Sequence, residues 1–295
     1  MEPLESLDKE GVHIVLLGDS TLDNGRYLNL ARGELSVEKL LQKKCMERGW
    51  EMTVLAQDGS MLEDVRYRQL PLIPDRATHI VISATGNDLL SLLNQMVVAN
   101  FTMSSVYQVI GTRLGQLGEE YRNFLKDLKS MGCHLCVCTH QHPNFNHIFF
   151  KTLAIFGLGL HNNRIKTISE ELDFSVIDIA NMLEGKEDFA NPLEMSTRGG
   201  SKLVENIDAF VNDHPVTMLG RRLNKDIYAD HEAYSNGPTT AFGVPLKCCA
   251  TRSASRKVYC GKKIATFLET PAEAAAHGPP GPTLEFAQVM QDKPT

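Results

Sequence analysis

Five short apolar runs, most of them containing β-branched residues, recur between residues 12 and 179. The runs cover residues 12–18, 51–56, 78–84, 133–139 and 174–179. Near-continuous apolar character over so few residues is typical of strands that are covered on both faces, as in a parallel sheet. We therefore predict five strands at these positions.

Between these runs, apolar residues recur at helical spacing. Three such stripes lie within residues 35–45, 114–128 and 203–211. Gly132 follows the second stripe, where a helix is expected to stop. Strands that alternate with helices form βαβ units, which place helices on both faces of an open parallel sheet. The pattern predicts an α/β fold.

Composition and charge narrow the classes of partner and compartment. The chain has 295 residues, of which 42% are hydrophobic and 22% charged, and its formal net charge is −6. A negative chain without a basic block is not expected to bind nucleic acid. No apolar run reaches the roughly 18 residues that a membrane-spanning helix needs. The acidic start lacks the apolar core of a secretory signal, so we expect a cytoplasmic protein. Seven cysteines, an odd number, suit reduced thiols better than a disulfide framework.

The regular alternation ends near residue 215, and the composition changes at the same place. Residues 216–295 carry more Lys and Arg than Asp and Glu, although the whole chain is acidic. Their last part, residues 270–295, is rich in Ala, Pro and Gly, which is typical of disordered segments. We predict one α/β domain over residues 1–215 and a partly disordered C-terminal appendage over residues 216–295.

Small and polar residues follow four of the five predicted strands. In an open α/β sheet, the loops at the carboxyl ends of the strands form the ligand crevice. These loops carry Gly18, Asp19 and Ser20 after the first strand, Gly59 after the second, Gly86, Asn87 and Asp88 after the third, and Asn191, Glu194 and Ser196 after the fifth. The sequence therefore predicts one polar site at this edge of the sheet.

Ser20, Gly59 and Asn87 together suit acyl transfer. A serine hydroxyl can attack a carbonyl carbon, and the carbonyl oxygen that gains charge needs preorganised donors. The N–H groups of Ser20 and Gly59 and the side-chain amide of Asn87 could form such an oxyanion hole. Taken singly, each residue also has a structural explanation, as a helix cap or a turn residue.

Four sequence blocks resemble the motifs of the SGNH (GDSL-type) hydrolase family. They read GDSTLDNGRY, AQDG, THIVISATGND and NPLEMSTRGGSKL, in family order across residues 12–212. The resemblance implies a flavodoxin-like three-layer α/β/α sandwich with a parallel five-stranded sheet, and hydrolysis of ester bonds. It also implies Ser20 as the nucleophile and Ser20, Gly59 and Asn87 as oxyanion donors. The G-x-S-x-G elbow of the larger α/β-hydrolases does not occur in the sequence.

The last block departs from the family pattern at both residues that would activate the serine. The family has Asp-x-x-His there, and this chain has Asn191 and Glu194. Glu194 could be the base itself, because a carboxylate in a dry pocket becomes more basic. A histidine after the fourth strand, His140 or His142, could substitute for it. The third possibility is that no base exists and the pocket binds without turnover.

Cysteine and histidine alternate at the fourth predicted strand and raise the question of a metal. Every second position from 136 to 142 is a cysteine or a histidine: Cys136, Cys138, His140 and His142. On an extended strand these side chains would line one face at steps of about 6.6 Å. Ligands spread in this way cannot close a tetrahedral site with bonds of about 2.0–2.3 Å. We expect neither a metal nor a cofactor.

The combined observations favour a serine esterase that acts on a small acyl or acetyl ester through a Ser20 acyl-enzyme. Its partner would be a small-molecule ester. The alternative is a binding protein that keeps the fold and the oxyanion pocket but lacks a base. A flavodoxin-like nucleotide binder is the weakest candidate, because no G-x-G-x-x-G or P-loop follows a predicted strand. A site that only binds would not need Ser20, Gly59 and Asn87 together.

Overall fold

The structure is a computed structural model that describes residues 11–99 and 102–216 of the chain. Its centre is a parallel sheet of five strands in the order β2-β1-β3-β4-β5. The strands are β1 (His13–Gly18), β2 (Glu51–Val54), β3 (His79–Ser83), β4 (His134–Cys138) and β5 (Ser175–Ile177). This is the flavodoxin-like strand order, so the predicted fold class is confirmed.

Eight α-helices connect or flank the strands of the described part. They are α1 (Val37–Arg48), α2 (Leu62–Asp64), α3 (Gly86–Val98), α4 (Met103–Gln108), α5 (Leu114–Lys129), α6 (Ile148–Leu172), α7 (Ile179–Met182) and α8 (Thr197–Asp213). A wider π-helical turn over Val65–Gln69 continues α2, and another over Val109–Arg113 joins α4 to α5. The three predicted helical stripes correspond to α1, α5 and α8.

The sheet is covered on both faces, which explains why its strands read as continuous apolar runs. On one face, Ile14 and Leu16 of β1 belong to a buried cluster with residues of α1 and α8, which pack against each other. Val15 and Leu17 alternate with them and are equally buried, so they point to the opposite face. Helices α5 and α6 pack together on that second face. The result is a three-layer α/β/α sandwich.

Helix ends are specified by local sequence. The Ser36 side chain accepts a hydrogen bond from the Lys39 N–H at the start of α1, and Gly49 ends that helix in the left-handed conformation. The Ser196 side chain accepts in the same way from the Gly199 N–H at the start of α8. These caps fix where the loops before α1 and α8 end.

The predicted appendage over residues 216–295 lies outside the described residues, apart from its first residue. Among the residues that are described, no helix combines the length and the apolar character needed to cross a membrane.

Candidate active site

The strand order places a crevice between the carboxyl ends of β1 and β3. The chain leaves β1 for β2 on one side, whereas β3 lies on the other side of β1, and this reversal of direction opens a crevice where open α/β sheets bind ligands. Asp19 and Ser20 follow β1 at this point, and Gly86 and Asn87 follow β3. The predicted site residues of these two loops therefore meet at the switch point.

The turn after β1 requires glycine at position 18. Gly18 has φ of +140°, and a Cβ there would lie 1.7 Å from the Ser83 carbonyl oxygen of β3. The buried Gln69 side chain holds the same turn from the other side. Its amide accepts from the Gly18 N–H at 2.7 Å and donates to the Gly18 carbonyl at 2.8 Å. The backbone immediately before Asp19 and Ser20 is thus fixed on two sides.

Ser20 and Glu194 form the central contact of the site. The Ser20 hydroxyl donates a 2.8 Å hydrogen bond to Glu194 Oε1, so Ser20 does not serve as the helix cap that its turn position allowed. Glu194 is only 6% exposed. Burial raises the pKa of its carboxyl group to about 8, against the lowering effect of the Ser20 hydrogen bond, and the charges of Asp19, Asp58 and Asp23 raise it further.

The second carboxylate oxygen of Glu194 has no hydrogen-bond partner among the described residues, although it is buried. A buried polar atom without a partner is rare and costs free energy. Such an atom adjacent to a cavity is available to a group that enters the site. Glu194 and Ser20 both line the same cavity.

Asn191 shapes the turn that carries Glu194. Its side-chain oxygen accepts from the N–H groups of Leu193 and Glu194, each at 2.8 Å, and the Ala190 N–H donates to the Glu194 carbonyl. The resemblance placed Asn191 at the position of the family's orienting aspartate. In the structure its side chain contacts the backbone of the turn.

Asn24 ties the same turn to the rest of the domain. It is fully buried; its amide nitrogen donates to the Met195 carbonyl at 2.9 Å, and its oxygen accepts from the Val37 N–H at 3.0 Å. One side chain therefore links the loop after β1, the start of α1 and the residue after Glu194.

The three predicted oxyanion donors lie in loops that contact one another. The Asn87 amide donates to the Ser60 carbonyl at 2.9 Å, which joins the start of α3 to the turn that contains Gly59, whose φ is +82°. Asn87 lines the cavity beside Ser20. Among the described residues, the backbone N–H groups of Ser20 and Gly59 donate to no other group. Their availability is what an oxyanion hole requires.

Asp19 supports the loop before Ser20. It is 2% exposed, and one of its oxygens accepts from the Thr21 N–H at 3.1 Å and from the Ser83 hydroxyl at 3.4 Å. Burial raises its pKa to about 6, and these hydrogen bonds oppose the shift. Asp19 therefore acts on the site through the loop geometry and through its charge near Glu194.

His140 lines the cavity, but its ring is engaged elsewhere. Thr85 Oγ1 lies 2.9 Å from His140 Nε2 and 2.8 Å from His161 Nε2. A hydroxyl carries one proton, so it donates to one ring and accepts from the other. Burial lowers the pKa of His140 to about 4 and that of His161 to about 3. Both rings are neutral near pH 7, and Glu194 is the group that contacts the Ser20 hydroxyl.

The second histidine considered from the sequence, His142, has a buried Nδ1 atom without a hydrogen-bond partner among the described residues. It is not among the residues that line the cavity with Ser20. The role of Thr85 and His161 was missed from the sequence. Thr85 has a φ of +88°, which is uncommon for a residue other than glycine. No pattern in the sequence indicates this backbone conformation.

A chamber opens from the Ser20–Glu194 pair; together with the open space at its mouth it spans about 930 Å³. Its polar lining comes from the sheet edge. Its apolar lining comes from α3, the turn that follows α4, the start of α5, the loop after β4, α6, and the loop that carries Glu194. The apolar residues are Leu89, Leu90, Leu92, Leu93, Met96, Val109, Ile110, Leu114, Pro143, Phe145, Leu153, Ala154, Phe156, Leu158 and Leu193.

Metal-binding residues do not cluster in residues 11–99 and 102–216, where no group of three or more His, Cys, Asp or Glu side chains could hold an ion. The cysteines of this part, Cys45, Cys133, Cys136 and Cys138, are free thiols. Burial raises the pKa of Cys136 to about 12, so this thiol is protonated at neutral pH.

No protein-family model and no curated protein sequence matches the chain, whereas solved structures do. Phospholipase A1 from Streptomyces albidoflavus NA297 superposes with a TM-score of 0.54 at 13% identity, covering 68% of this chain and 100% of that one. A member of the lipolytic protein G-D-S-L family from Veillonella parvula gives 0.50 at 15% identity, covering 70% and 100%. The extracellular lipase from Streptomyces rimosus gives 0.51 at 15% identity, covering 68% and 100%. The chain therefore has the three-layer fold of the GDSL-type lipases and esterases.

Proposed function

We propose that this protein hydrolyses carboxylic esters, with Ser20 as the nucleophile and Glu194 as the general base. The hydrogen bond of 2.8 Å from the Ser20 hydroxyl to Glu194 Oε1 carries the proposal. A base within this distance of a hydroxyl is the arrangement that activates a serine nucleophile. The fold, shared with lipases and esterases, supports the same reaction class by analogy.

In the first half-reaction, the Glu194 carboxylate takes the hydroxyl proton while Ser20 Oγ attacks the carbonyl carbon of the ester. The carbonyl oxygen gains the negative charge and is met by the N–H groups of Ser20 and Gly59 and by the Asn87 amide. The tetrahedral intermediate then collapses, its bond to the alcohol oxygen breaks, and Glu194 returns the proton to the departing alcohol. An acyl group remains on Ser20 Oγ.

In the second half-reaction, water takes the place of the alcohol. Glu194 accepts a proton from the water, whose oxygen attacks the acyl carbon, and the same donors hold the oxyanion. Collapse of this intermediate releases the carboxylic acid and returns the proton to Ser20 Oγ. Each donor of an oxyanion hole contributes roughly 3–4 kcal/mol to transition-state stabilisation.

Burial gives Glu194 the basicity that this role needs. A carboxylate with an ordinary pKa is a weak base toward a hydroxyl, and a base is most effective when its pKa lies near the working pH. The pKa of Glu194 is raised to about 8 by burial and by neighbouring carboxylates. The bonds from Asn191 and Asn24 to its turn hold the carboxylate in place.

Labelling with a fluorophosphonate probe at pH 8.5, read by mass spectrometry of the modified peptide, tests the proposal. We expect stoichiometric labelling at Ser20 and hydrolysis of p-nitrophenyl esters, both lost in Ser20→Ala. Ser104→Ala is the matched control, because Ser104 is an exposed serine on α4. A folded protein that is neither labelled nor active on any ester would refute the proposal and favour the alternative of a binding protein without a base.

A further inference from the structure

The chamber beside Ser20 is polar at one end and apolar along the rest of its walls. Its polar residues come from the loops at the carboxyl edge of the sheet and from the first turn of α3, next to Ser20 and Glu194. Its other walls are mostly helical, and side chains such as Leu92, Leu93 and Met96 of α3 are at most 8% exposed there. Ligand pockets with this division bind molecules that carry one polar group on an apolar body.

A group of polar side chains lies beside the loop that carries Ser20, outside the lining of the chamber. The Asp23 N–H donates to the carbonyl of Asp19, which precedes Ser20, and an Asp23 carboxylate oxygen accepts from the Asp58 N–H at 2.9 Å. The charges of both carboxylates raise the pKa of Glu194. The Tyr27 hydroxyl donates to Asp58 at 2.9 Å, and Arg26, whose side chain is 70% exposed, pairs with the same carboxylate. None of the side chains of Asp23, Asp58, Tyr27 and Arg26 lines the chamber. Beside the loop that carries Ser20 there is thus a polar rim, formed by Tyr27, Asp58 and Arg26, which is distinct from the lining of the apolar chamber.

The direction of proton transfer assigns the two halves of an ester to these two environments. The base that takes the proton from Ser20 returns it to the leaving alcohol, so the alcohol oxygen must lie within reach of Glu194. The polar rim of Tyr27, Asp58 and Arg26 is suited to a polar alcohol. The acyl chain, which remains on Ser20, then extends into the apolar chamber.

We propose that the chamber is an acyl-chain pocket and that the preferred substrates are esters of medium-length fatty acids with a polar alcohol. This inference rests on the proposed function and replaces the small acyl or acetyl group that the sequence led us to expect. A buried methylene is worth about 0.8 kcal/mol, which is roughly fourfold in kcat/KM for each added CH₂ that enters the chamber. We expect p-nitrophenyl octanoate to exceed p-nitrophenyl acetate at least tenfold in kcat/KM.

Two glycines of α6 provide a matched pair of variants. Gly157 lines the chamber, and a Cβ at this position would meet nothing within 4 Å. Gly157 shares its helical face with Leu153 and Ala154, which also line the chamber. Gly159 also has open space at its Cβ, but it is exposed and is not among the lining residues. Leucine favours a helix over glycine at either position.

Gly157→Leu should lower the ratio of kcat/KM for the octanoate to that for the acetate at least tenfold. Gly159→Leu should leave this ratio unchanged. Thermal unfolding of both variants checks that the fold is kept, and Gly157→Ala should give an intermediate loss. If the esters are cleaved without a chain-length preference, or Gly157→Leu leaves the preference intact, the acyl-chain pocket is wrong and the esterase proposal stands.

The binding of an amide that is not hydrolysed tests the acyl-chain pocket independently of the esterase proposal. Octanamide is neutral and carries the same chain and carbonyl, so its binding to the full chain can be measured by calorimetry. We expect it to bind at least tenfold more tightly than acetamide, and Gly157→Leu to abolish this difference. If the protein binds octanamide in this way but cleaves no ester, the acyl-chain pocket is supported and the proposed esterase function is wrong. Faster hydrolysis of octyl acetate than of ethyl octanoate would place the chain on the alcohol side and overturn the assignment.

Discussion

Replacing Glu194 by glutamine separates its charge from its shape. The glutamine oxygen can still accept the hydrogen bond that the Ser20 hydroxyl donates to Oε1, whereas the amide cannot take up the proton. General bases contribute typically 10²–10⁴-fold to rate, which corresponds to roughly 3–5 kcal/mol of barrier. We therefore expect Glu194→Gln to lower kcat for p-nitrophenyl esters by this factor with little change in KM.

The pH profile provides the sharper measurement. With a pKa of about 8, about a tenth of Glu194 is ionised at pH 7, so kcat/KM of the wild type should rise about tenfold per pH unit below pH 8 and level off above it. Glu194→Gln should lack this rise. Glu205→Gln is the control, because Glu205 is an exposed glutamate on α8. If Glu194→Gln keeps full kcat and the same pH profile, Glu194 is not the base.

Glu194→Gln should also change how the free energy of unfolding depends on pH, and the raised pKa of Glu194 gives the direction of this change. The folded protein holds the Glu194 proton up to about pH 8, whereas the unfolded chain releases it near pH 4.5. The folded state therefore binds more protons between these values, and its free energy of unfolding falls as pH rises through this window. The full shift is worth about 5 kcal/mol. Glu194→Gln should lack this loss. The free energy of unfolding, measured by urea titration, should therefore differ less between pH 5 and pH 8.5 for the variant than for the wild type.

Three further substitutions test the parts around the Ser20–Glu194 pair. Asn87→Ala should lower kcat about 10²–10³-fold in ester assays, as loss of one oxyanion donor does elsewhere; a change below threefold would exclude Asn87 from the oxyanion hole. Gly18→Ala should leave little folded protein in circular dichroism and thermal unfolding, because its Cβ would lie 1.7 Å from the Ser83 carbonyl oxygen; a native melting curve would contradict this. His140→Ala should cost about 1–3 kcal/mol in urea unfolding, since it leaves the Thr85 hydroxyl with one partner fewer, while the folded variant keeps the wild-type pH profile; loss of that profile would make His140 the base.

The five strands could be predicted because burial on both faces of the sheet leaves a plain apolar signal in the sequence. All five predicted strands are present, each within two residues of the predicted ends. Helix α6 was not predicted. Apolar residues occur on all sides of its first half, residues 148–160, and Ile148, Phe156 and Leu160 are exposed, so no single stripe distinguishes this half in the sequence. A helix that lines an open chamber on one face has no continuous apolar surface to bury, and the usual pattern is lost.

The site likewise has a part that could be predicted from the sequence and a part that could not. The proximity of Ser20 and Glu194 could be predicted because loops at the carboxyl edge of a parallel sheet converge by topology, whichever residues they carry. Gln69 and Thr85 could not be predicted, although both hold the site together. Their partners are backbone groups of Gly18 and the rings of two histidines distant in sequence. Contacts of this kind depend on side-chain geometry, which has no periodic signature.

Asn191 and Glu194, which stand where the resembled family has aspartate and histidine, are physically consistent with each other. A histidine base becomes positive when it takes a proton, so a neighbouring aspartate stabilises it. A glutamate base becomes neutral, and it gains nothing from a negative neighbour. Aspartate at position 191 would add a carboxylate close to Glu194 and raise the pKa of Glu194 further. Asn191 keeps the two hydrogen bonds that shape the turn without adding that charge. Asparagine at this position is therefore the residue expected beside a carboxylate base.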